Sequence, residues 1–166
     1  MNPLTHLDAE GRPTMVDVSE KSITRRRAVA TGYLELSEAC AEALTQGGGP
    51  KGDPWSVARL GAVGGVKKAS DLIPLSHPLL IEGVHVEHHW DPQQRRAWLR
   101  VEVSIEGRTG VEMEALAGVS VGLLVLYDML KAVSHEMVLG PVRLLRKEGG
   151  RSGTLLWPWA DCPWVR

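Results

Sequence analysis

The alternation of apolar and polar residues is clearest between residues 84 and 106. Val84–Trp90 and Ala97–Glu106 predict two strands of a hairpin, joined by a polar turn over 91–96. The second strand places four apolar side chains on one face and four polar ones on the other: Leu99, Val101, Val103 and Ile105 against Arg100, Glu102, Ser104 and Glu106. This period of two is typical of an antiparallel strand with one face on the core and one in solvent.

The rest of the chain alternates between strand and helix patterns. The remaining elements are predicted, in chain order, as a strand, two helices, a long helix and a final strand: 28–36, 38–46, 54–70, 111–134 and 137–147. Ser37 is the expected N-cap of the first helix, and Asp53 followed by Pro54 is a strong start for the second. In the last strand, Pro141 requires a sheet edge or a bulge.

The resulting order is β-α-α-β-β-α-β. With one helix removed this is the ferredoxin-like βαββαβ plan, so we predict an α+β fold with a four-stranded antiparallel sheet and its helices packed on one face. At 166 residues the chain is the size of one domain, 1–166. Residues 1–24 predict an N-terminal arm, and residues 154–166 a Trp-rich C-terminal tail.

Composition and charge narrow the functional classes. Nineteen Lys and Arg against twenty Asp and Glu give a net charge of -1, which argues against a general nucleic-acid or anionic-membrane binder. The first fifteen residues contain no apolar segment typical of a signal peptide. The apolar stretch 115–127 is shorter than the ~20 residues of a membrane span, so we expect a cytoplasmic protein. Cys40 and Cys162 form no disulfide or zinc pattern, which suggests a reducing compartment and two packing residues.

The predicted long helix is apolar on nearly every face, which indicates deep burial. Four charged residues lie in it nevertheless: Glu112, Glu114, Asp128 and Lys131. Because burying an isolated charge costs several kcal/mol, these residues must be paired or must serve a site; a structural Asp128–Lys131 pair at i,i+3 is one explanation.

Glu114 and Asp128 lie within about 40° around the helix axis but about 21 Å apart along it. Either a long ligand spans both, or one helix end completes a site in a neighbouring subunit. Gly118 and Gly122 favour the second alternative, because they suit a subunit interface.

Two glycine-rich segments, 47–53 and 147–153, each carry a lysine. Backbone amides beside a lysine can hold phosphate, although the P-loop pattern is absent and flexible linkage is the better explanation of either segment taken alone. The candidate cations are Arg26, Lys51, Lys67, Lys131 and Lys147. Together they would suit a polyphosphate, and lysines held close together have a lowered pKa, which suits proton transfer near neutral pH. Taken singly, each is simply a solvated surface charge.

The histidines give a weaker signal. His77 lies between Pro74 and Pro78, where a pre-positioned imidazole could act as acid or base or could bind substrate. His85 and His89 would point to one face of their strand and His88 to the other, with no carboxylate-rich motif nearby. We therefore predict no metal site there.

Several long motifs in one chain give a far more specific signal. They are Met15–Val18, Lys51–Asp53, Asp71–Leu79, Thr109–Leu116, Tyr127–Met129 and Gly140–Leu144. With them the chain resembles the molybdenum cofactor biosynthesis protein C (MoaC) family, the cyclic pyranopterin monophosphate synthases, from Leu4 to Gly153.

The resemblance implies conversion of a cyclised dihydro-GTP to cyclic pyranopterin monophosphate and diphosphate, in the first stage of molybdenum cofactor synthesis. It implies a homohexamer of three dimers with the site at the dimer interface, and a nucleotide-derived small molecule as the partner. No cofactor is required, although Mg²⁺ could accompany the substrate triphosphate. Contact with the upstream radical enzyme stays open.

The resemblance also assigns residues, position by position. The catalytic positions are Asp128, Lys51, Lys131 and His77. The substrate-binding positions are Leu75, Ser76, His77, Glu112, Met113, Glu114, Arg26, Lys67 and Lys147. Ser76 stands where many relatives carry cysteine, which makes thiol chemistry at that position impossible here. The tail lies outside the resemblance, and we predict that its Trp157, Trp159 and Trp164 pack against a neighbouring subunit.

Two other classes of protein would each explain some of these sequence features. A non-catalytic ferredoxin-like ligand-binding or assembly module explains the fold and the apolar helix but leaves the helix charges and the two glycine-lysine segments unexplained. A metal-dependent hydrolase using the histidine cluster predicts stoichiometric metal and an activity that a chelator abolishes.

Overall fold

The computed structural model describes residues 7–8, 10–49 and 51–164. Over these residues it contains one antiparallel sheet of five strands, in the order β2-β3-β1-β4-β5, together with four helices. The elements are β1 (Thr24–Glu35), α1 (Glu38–Thr45), α2 (Pro54–Lys67), α3 (Ala69–Leu72), β2 (Gly83–Asp91), β3 (Arg96–Gly107), α4 (Glu112–Leu130), β4 (Val138–Glu148) and β5 (Leu155–Leu156). The α+β class is thereby confirmed.

The predicted number of strands is wrong, because the sheet has five strands rather than four. The additional strand is β5, whose two residues pair with Arg146 and Lys147 of β4. Two residues are too few to show a period of two, so only the pairing itself identifies this strand.

The predicted helix starts are confirmed by their caps. Ser37 accepts a hydrogen bond from the backbone N–H of Cys40, and Asp53 accepts from those of Trp55 and Ser56. The predicted helix ends extend too far. The second helix is interrupted at Lys68, with α3 following, and α4 ends at Leu130 rather than at residue 134.

Strand β4 is irregular at two points where it pairs with β1. Gly32 pairs with Val142 and Leu34 with Leu139, so an additional residue of β4 bulges out beside Pro141. The opposite side of β4 pairs with β5 only at Arg146 and Lys147. Pro141 therefore lies at a bulge and away from the β5 pairing, as its missing N–H requires. A second bulge lies at Leu145, between the pairs Val29–Arg146 and Ala30–Leu144.

The main core lies between the helices and one face of the sheet. Helix α4 packs on β1, β3 and β4, and α2 packs on α4 and on β2. The two helices approach closely at glycines: an added Cβ at Gly122 would lie 3.2 Å from the Ala58 carbonyl, and one at Gly118 would lie 2.7 Å from Val66. These glycines therefore serve packing within the chain, and our argument that they indicate a subunit interface is wrong.

The other sheet face carries a second, smaller core. Val29, Trp98, Leu145 and Cys162 are buried there, and Trp159 and Trp164 of the tail pack against them. The Trp159 ring centroid lies 5.1 Å from that of Trp98. These two tryptophans thus contact their own sheet, which differs from our prediction that the tail packs on a neighbouring subunit.

In the described part of the chain, one helix is long and apolar enough to span a membrane, namely α4. Of its most apolar window, 56% is buried inside the protein, because α2 and the sheet cover it.

Candidate active site

Three predicted catalytic residues meet at the C-terminal end of α4, and we call them the lysine–aspartate cluster: Lys51, Asp128 and Lys131. The Lys51 Nζ lies 2.8 Å from Asp128 Oδ2, and the Lys131 Nζ lies 2.7 Å from Asp128 Oδ1. Lys51 also donates to the backbone carbonyl of Asp128 at 3.0 Å. One carboxylate is therefore held between two ammonium groups.

The loop that carries Lys51 owes its shape to glycine. Gly48 and Gly52 have φ of 135° and 96°, values that other residues rarely adopt. Gly49 and Gly52 form an isolated bridge, and the Asp53 cap then starts α2. The glycines on either side thus hold Lys51 where it contacts Asp128.

The cluster lies at the surface. About half of each side chain is exposed: 41% for Lys51, 53% for Asp128 and 46% for Lys131. Our expectation that the charges at this end of the helix are buried is wrong, because Asp128 and Lys131 lie on the exposed side of the last turn, whereas Leu130 lies on the buried side. Substrate can therefore reach all three groups.

The electrostatics of the cluster also differ from our prediction. Hydrogen bonds from Lys131 and Lys51 lower the pKa of Asp128 from 3.8 to about 2. The hydrogen bond to Asp128 raises the pKa of Lys131, whereas we predicted lowered lysine pKa values. For Lys131, the attraction between its ammonium group and the carboxylate outweighs the repulsion between the two ammonium groups. In the free protein Lys131 is therefore protonated and Asp128 is an ionised carboxylate.

A titration tests this arrangement. We expect carbon NMR to find Asp128 ionised throughout pH 3–6, whereas in Lys131→Ala the carboxyl should begin to protonate within that range. Because the pKa is lower in the folded state, the interaction contributes to stability above about pH 4, and that contribution is lost as pH falls toward 2. Glu102, whose pKa Arg27 lowers by a hydrogen bond, is the internal control and should titrate identically in both proteins. Unchanged titration of Asp128 in the variant would contradict the assigned cause.

A second group of predicted residues surrounds a cavity of about 370 Å³ at the N-terminal end of α4, which we call the loop cavity. Its walls contain six of the predicted site residues: Leu75, Ser76, His77, Glu112, Met113 and Glu114. Val16 and Val18 of the N-terminal arm also line it. The arm therefore contributes to the cavity although its residues 10–23 form no helix or strand.

Glu114 is the one predicted site residue of α4 that is truly buried, at 3% exposure. Burial raises its pKa, and the nearby Glu112 charge adds to the effect. Within the described residues no cation forms an ion pair with Glu114. A carboxyl group with a raised pKa beside a cavity is suited to donate a hydrogen bond or a proton.

An adjoining cavity of about 630 Å³ is rich in cations, and we call it the cationic cavity. It shares Glu112 with the loop cavity, and Lys147 Nζ lies 2.9 Å from Glu112 Oε1. Its cationic residues are Lys21, Arg26, Arg108, Lys147 and Arg151. Of these five, the sequence predicts only Arg26 and Lys147 as site residues, because the other three lie on separate turns that strand pairing brings together.

The other candidates lie elsewhere. Lys67 is exposed at the end of α2 and lines neither cavity. His88 stacks on Trp55 at 4.5 Å, while His85 lies 3.6 Å from Glu87. In the ranges that the structure covers, no three His, Cys, Asp or Glu residues are grouped as metal ligands would be.

The site residues therefore fall into two groups at opposite ends of α4, as the helix geometry of Glu114 and Asp128 predicts. One group offers proton donors and an ionised carboxylate, and the other offers cavities lined by cations. Together they define an α+β protein equipped to bind an anionic small molecule and to move protons on it.

Comparison with known proteins gives the family. The profile of the MoaC family matches residues 15–150. A cyclic pyranopterin monophosphate synthase of Pelotomaculum thermopropionicum is 46% identical over 153 residues, which cover 92% of this chain and 90% of that protein. One of Helicobacter hepaticus is 47% identical over 150 residues, covering 90% and 94%. The chain belongs to the MoaC family, as its motifs predict.

Proposed function

We propose that the protein is a cyclic pyranopterin monophosphate synthase, a lyase of molybdenum cofactor biosynthesis. Its substrate would be the cyclised dihydro-GTP, and its products cyclic pyranopterin monophosphate and diphosphate. The observation that carries the proposal is the lysine–aspartate cluster, in which Asp128 contacts both Lys51 and Lys131. Relatives of this name from two organisms, each aligned over nearly the whole chain, support it.

The chemistry needs repeated proton transfers, because the purine ring opens and a new ring closes on carbons derived from the sugar. The Asp128–Lys131 pair and Lys51 would supply these transfers: a lysine ammonium would donate a proton to a nitrogen that becomes basic as its bond breaks, and Asp128 would hold both ammonium groups in place. His77 and Glu114 would hold the substrate from the loop cavity and could take part in these transfers. Leu75, Ser76 and Met113 would contact the base by packing and hydrogen bonds.

Release of diphosphate needs positive charge. Arg26 and Lys147 line the cationic cavity and would bind the triphosphate and stabilise the leaving group, with Lys67 a further candidate at the end of α2. We propose that no resident cofactor is required. A magnesium ion would enter with the triphosphate, whose own oxygens are the hard ligands it prefers, and would supply further positive charge at the leaving group.

We also propose that a complete site uses two chains, with the lysine–aspartate cluster of one and the cavities of another. The two groups lie at opposite ends of a 19-residue helix, too far apart for one small substrate within one chain. A dimer-interface site in a homohexamer of three dimers would bring them together.

We further propose a ferredoxin-like protomer, supported by the strand order β2-β3-β1-β4. We also propose that the protein is cytoplasmic and has neither nucleic-acid nor membrane partners.

Mixed oligomers test the two-chain site. Lys131→Ala damages one group and Lys147→Ala the other, so each variant alone should have a much lower kcat/KM than the wild type. After unfolding and refolding together, random pairing should restore about a quarter of wild-type activity, since some interfaces combine two intact halves. Variants damaged in one group, Lys131→Ala with Lys51→Ala, are the matched control and should not complement. Equal activity in both mixtures would contradict a shared site.

The decisive test of the function is turnover. Purified protein incubated with enzymatically made cyclised dihydro-GTP should give cyclic pyranopterin monophosphate and an equal amount of diphosphate. A folded protein that binds this substrate without converting it would instead support the non-catalytic module. Loss of turnover with chelator together with stoichiometric bound metal would support the hydrolase.

A further inference from the structure

The C-terminal tail, residues 154–164, lies beyond the segment that the family profile matches, yet it contacts the strand that carries Lys147. Leu155 pairs with Lys147 and Leu156 with Arg146. The backbone N–H of Trp157 then donates to the carbonyl of Leu145 at 2.8 Å. Three successive residues of the tail therefore contact three successive residues of β4.

Those contacts fall on the second bulge of β4. Val29 pairs with Arg146 and Ala30 with Leu144, so Leu145 has no partner on β1. Side chains directly opposite each other in an antiparallel pair point to the same face. A shift of one residue would reverse the face of every side chain beyond the bulge.

The bulge decides where Lys147 points. Lys147 pairs with Ala28, which is fully buried in the core on the helix side of the sheet. The Lys147 ammonium can therefore reach Glu112 at the start of α4, at 2.9 Å. If Leu145 took a regular place in the ladder instead of bulging out, Lys147 would lie opposite Arg27 rather than Ala28 and would point to the other face, away from the cationic cavity.

The tail has its own attachment to that opposite face. Cys162 is buried beside Leu145, and the ring of Trp159 lies 5.1 Å from that of Trp98. The guanidinium of Arg143 lies 5.1 Å from the centre of the Trp159 ring, a cation–π contact from β4 itself. Aromatic packing thus holds the tail against the strand whose bulge it contacts.

We propose that the C-terminal tail positions Lys147 for substrate binding by fixing the bulge at Leu145. The proposal rests on the proposed function for the role of Lys147 toward the triphosphate. The tail residues themselves are positioning residues, because none of residues 154–164 lines the cationic cavity into which the Lys147 side chain points.

A pair of substitutions at one residue separates the backbone contact from the side chain. Trp157→Pro removes the N–H that donates to Leu145, whereas Trp157→Ala keeps it and is the matched control. In Trp157→Pro we expect amide hydrogen exchange over residues 144–148 to become about tenfold faster, and KM to rise about tenfold with kcat nearly unchanged. In the Lys147→Ala background the same change should leave KM unaltered, since both act through one group. A chain ending at Gly153 should show the same pattern more strongly.

Four results would overturn the proposal. Unchanged exchange over 144–148 would show that the tail does not fix the bulge. Faster exchange with unchanged KM would make the tail purely structural, and additive effects with Lys147→Ala would place its action elsewhere. Calorimetry with inorganic triphosphate measures binding to the same pocket without requiring turnover. If the wild type binds triphosphate but is inactive, that result counts against the proposed function and not against the role of the tail. In that assay Trp157→Pro should weaken binding about tenfold, and equal affinity would overturn the proposal.

Discussion

Replacing Lys131 with alanine is expected to lower kcat by roughly 10²–10⁴-fold, the usual contribution of a positioned proton donor. The lysine contacts Asp128 at 2.7 Å, and this contact keeps it protonated in the free protein. Stability should barely change, because both side chains are about half exposed and exposed ion pairs contribute little. Steady-state turnover and thermal unfolding of the same preparation measure the two effects.

The chain offers a matched control for this substitution. Lys68 and Asp71 form another exposed i,i+3 pair, at 2.9 Å, with no predicted part in the site. Lys68→Ala removes the same kind of contact and should leave kcat unchanged. An equal loss in both variants would assign the effect to general electrostatics, which would contradict a catalytic role for Lys131.

A conservative variant distinguishes charge from proton transfer. Lys131→Arg keeps a cation beside Asp128, but a guanidinium holds its proton too tightly to donate it near neutral pH. We expect Lys131→Arg to remain within about tenfold of Lys131→Ala in kcat if proton donation is the role. Recovery of most of the wild-type rate would show that Lys131 acts by its charge.

The strand hairpin and α4 could be predicted because each repeats one pattern over many residues. The β3 alternation from Leu99 to Ile105 matches its alternating burial, and α4 is apolar over most of its length. The separation of Glu114 from Asp128 also followed from helix geometry alone. Where a pattern is long, the local sequence determines the element and its faces.

Features that depend on pairing between distant segments could not be predicted this way. Lys51 and Asp128 are 77 residues apart, and no spacing rule brings them together; only the resemblance named both. The bulge at Leu145 is visible only in the register between β1 and β4. The raised pKa of Lys131 was missed for a related reason, since its direction depends on which charge lies nearest.

The packing of α2 on α4 gives the largest expected effect on stability, at two neighbouring glycines. A Cβ added at Gly65 would lie 2.7 Å from Val121 and 2.8 Å from the carbonyl oxygen of Ala117. The second contact is with helix backbone, which cannot rotate away as a side chain can. Gly65→Ala should therefore lower the free energy of unfolding by about 1–3 kcal/mol, the usual cost of overpacking.

Gly64 provides the same substitution without the contact. A Cβ added there has no neighbour within 4 Å, so Gly64→Ala should raise the free energy of unfolding by about 1 kcal/mol through helix propensity alone. The two urea midpoints, measured at equal protein concentration, should move in opposite directions. Because α4 carries Asp128 and Lys131, forcing α2 away from it should also reduce turnover in Gly65→Ala. A stabilised Gly65→Ala would mean that the helices can separate freely, and the close approach would then have no role in holding the site.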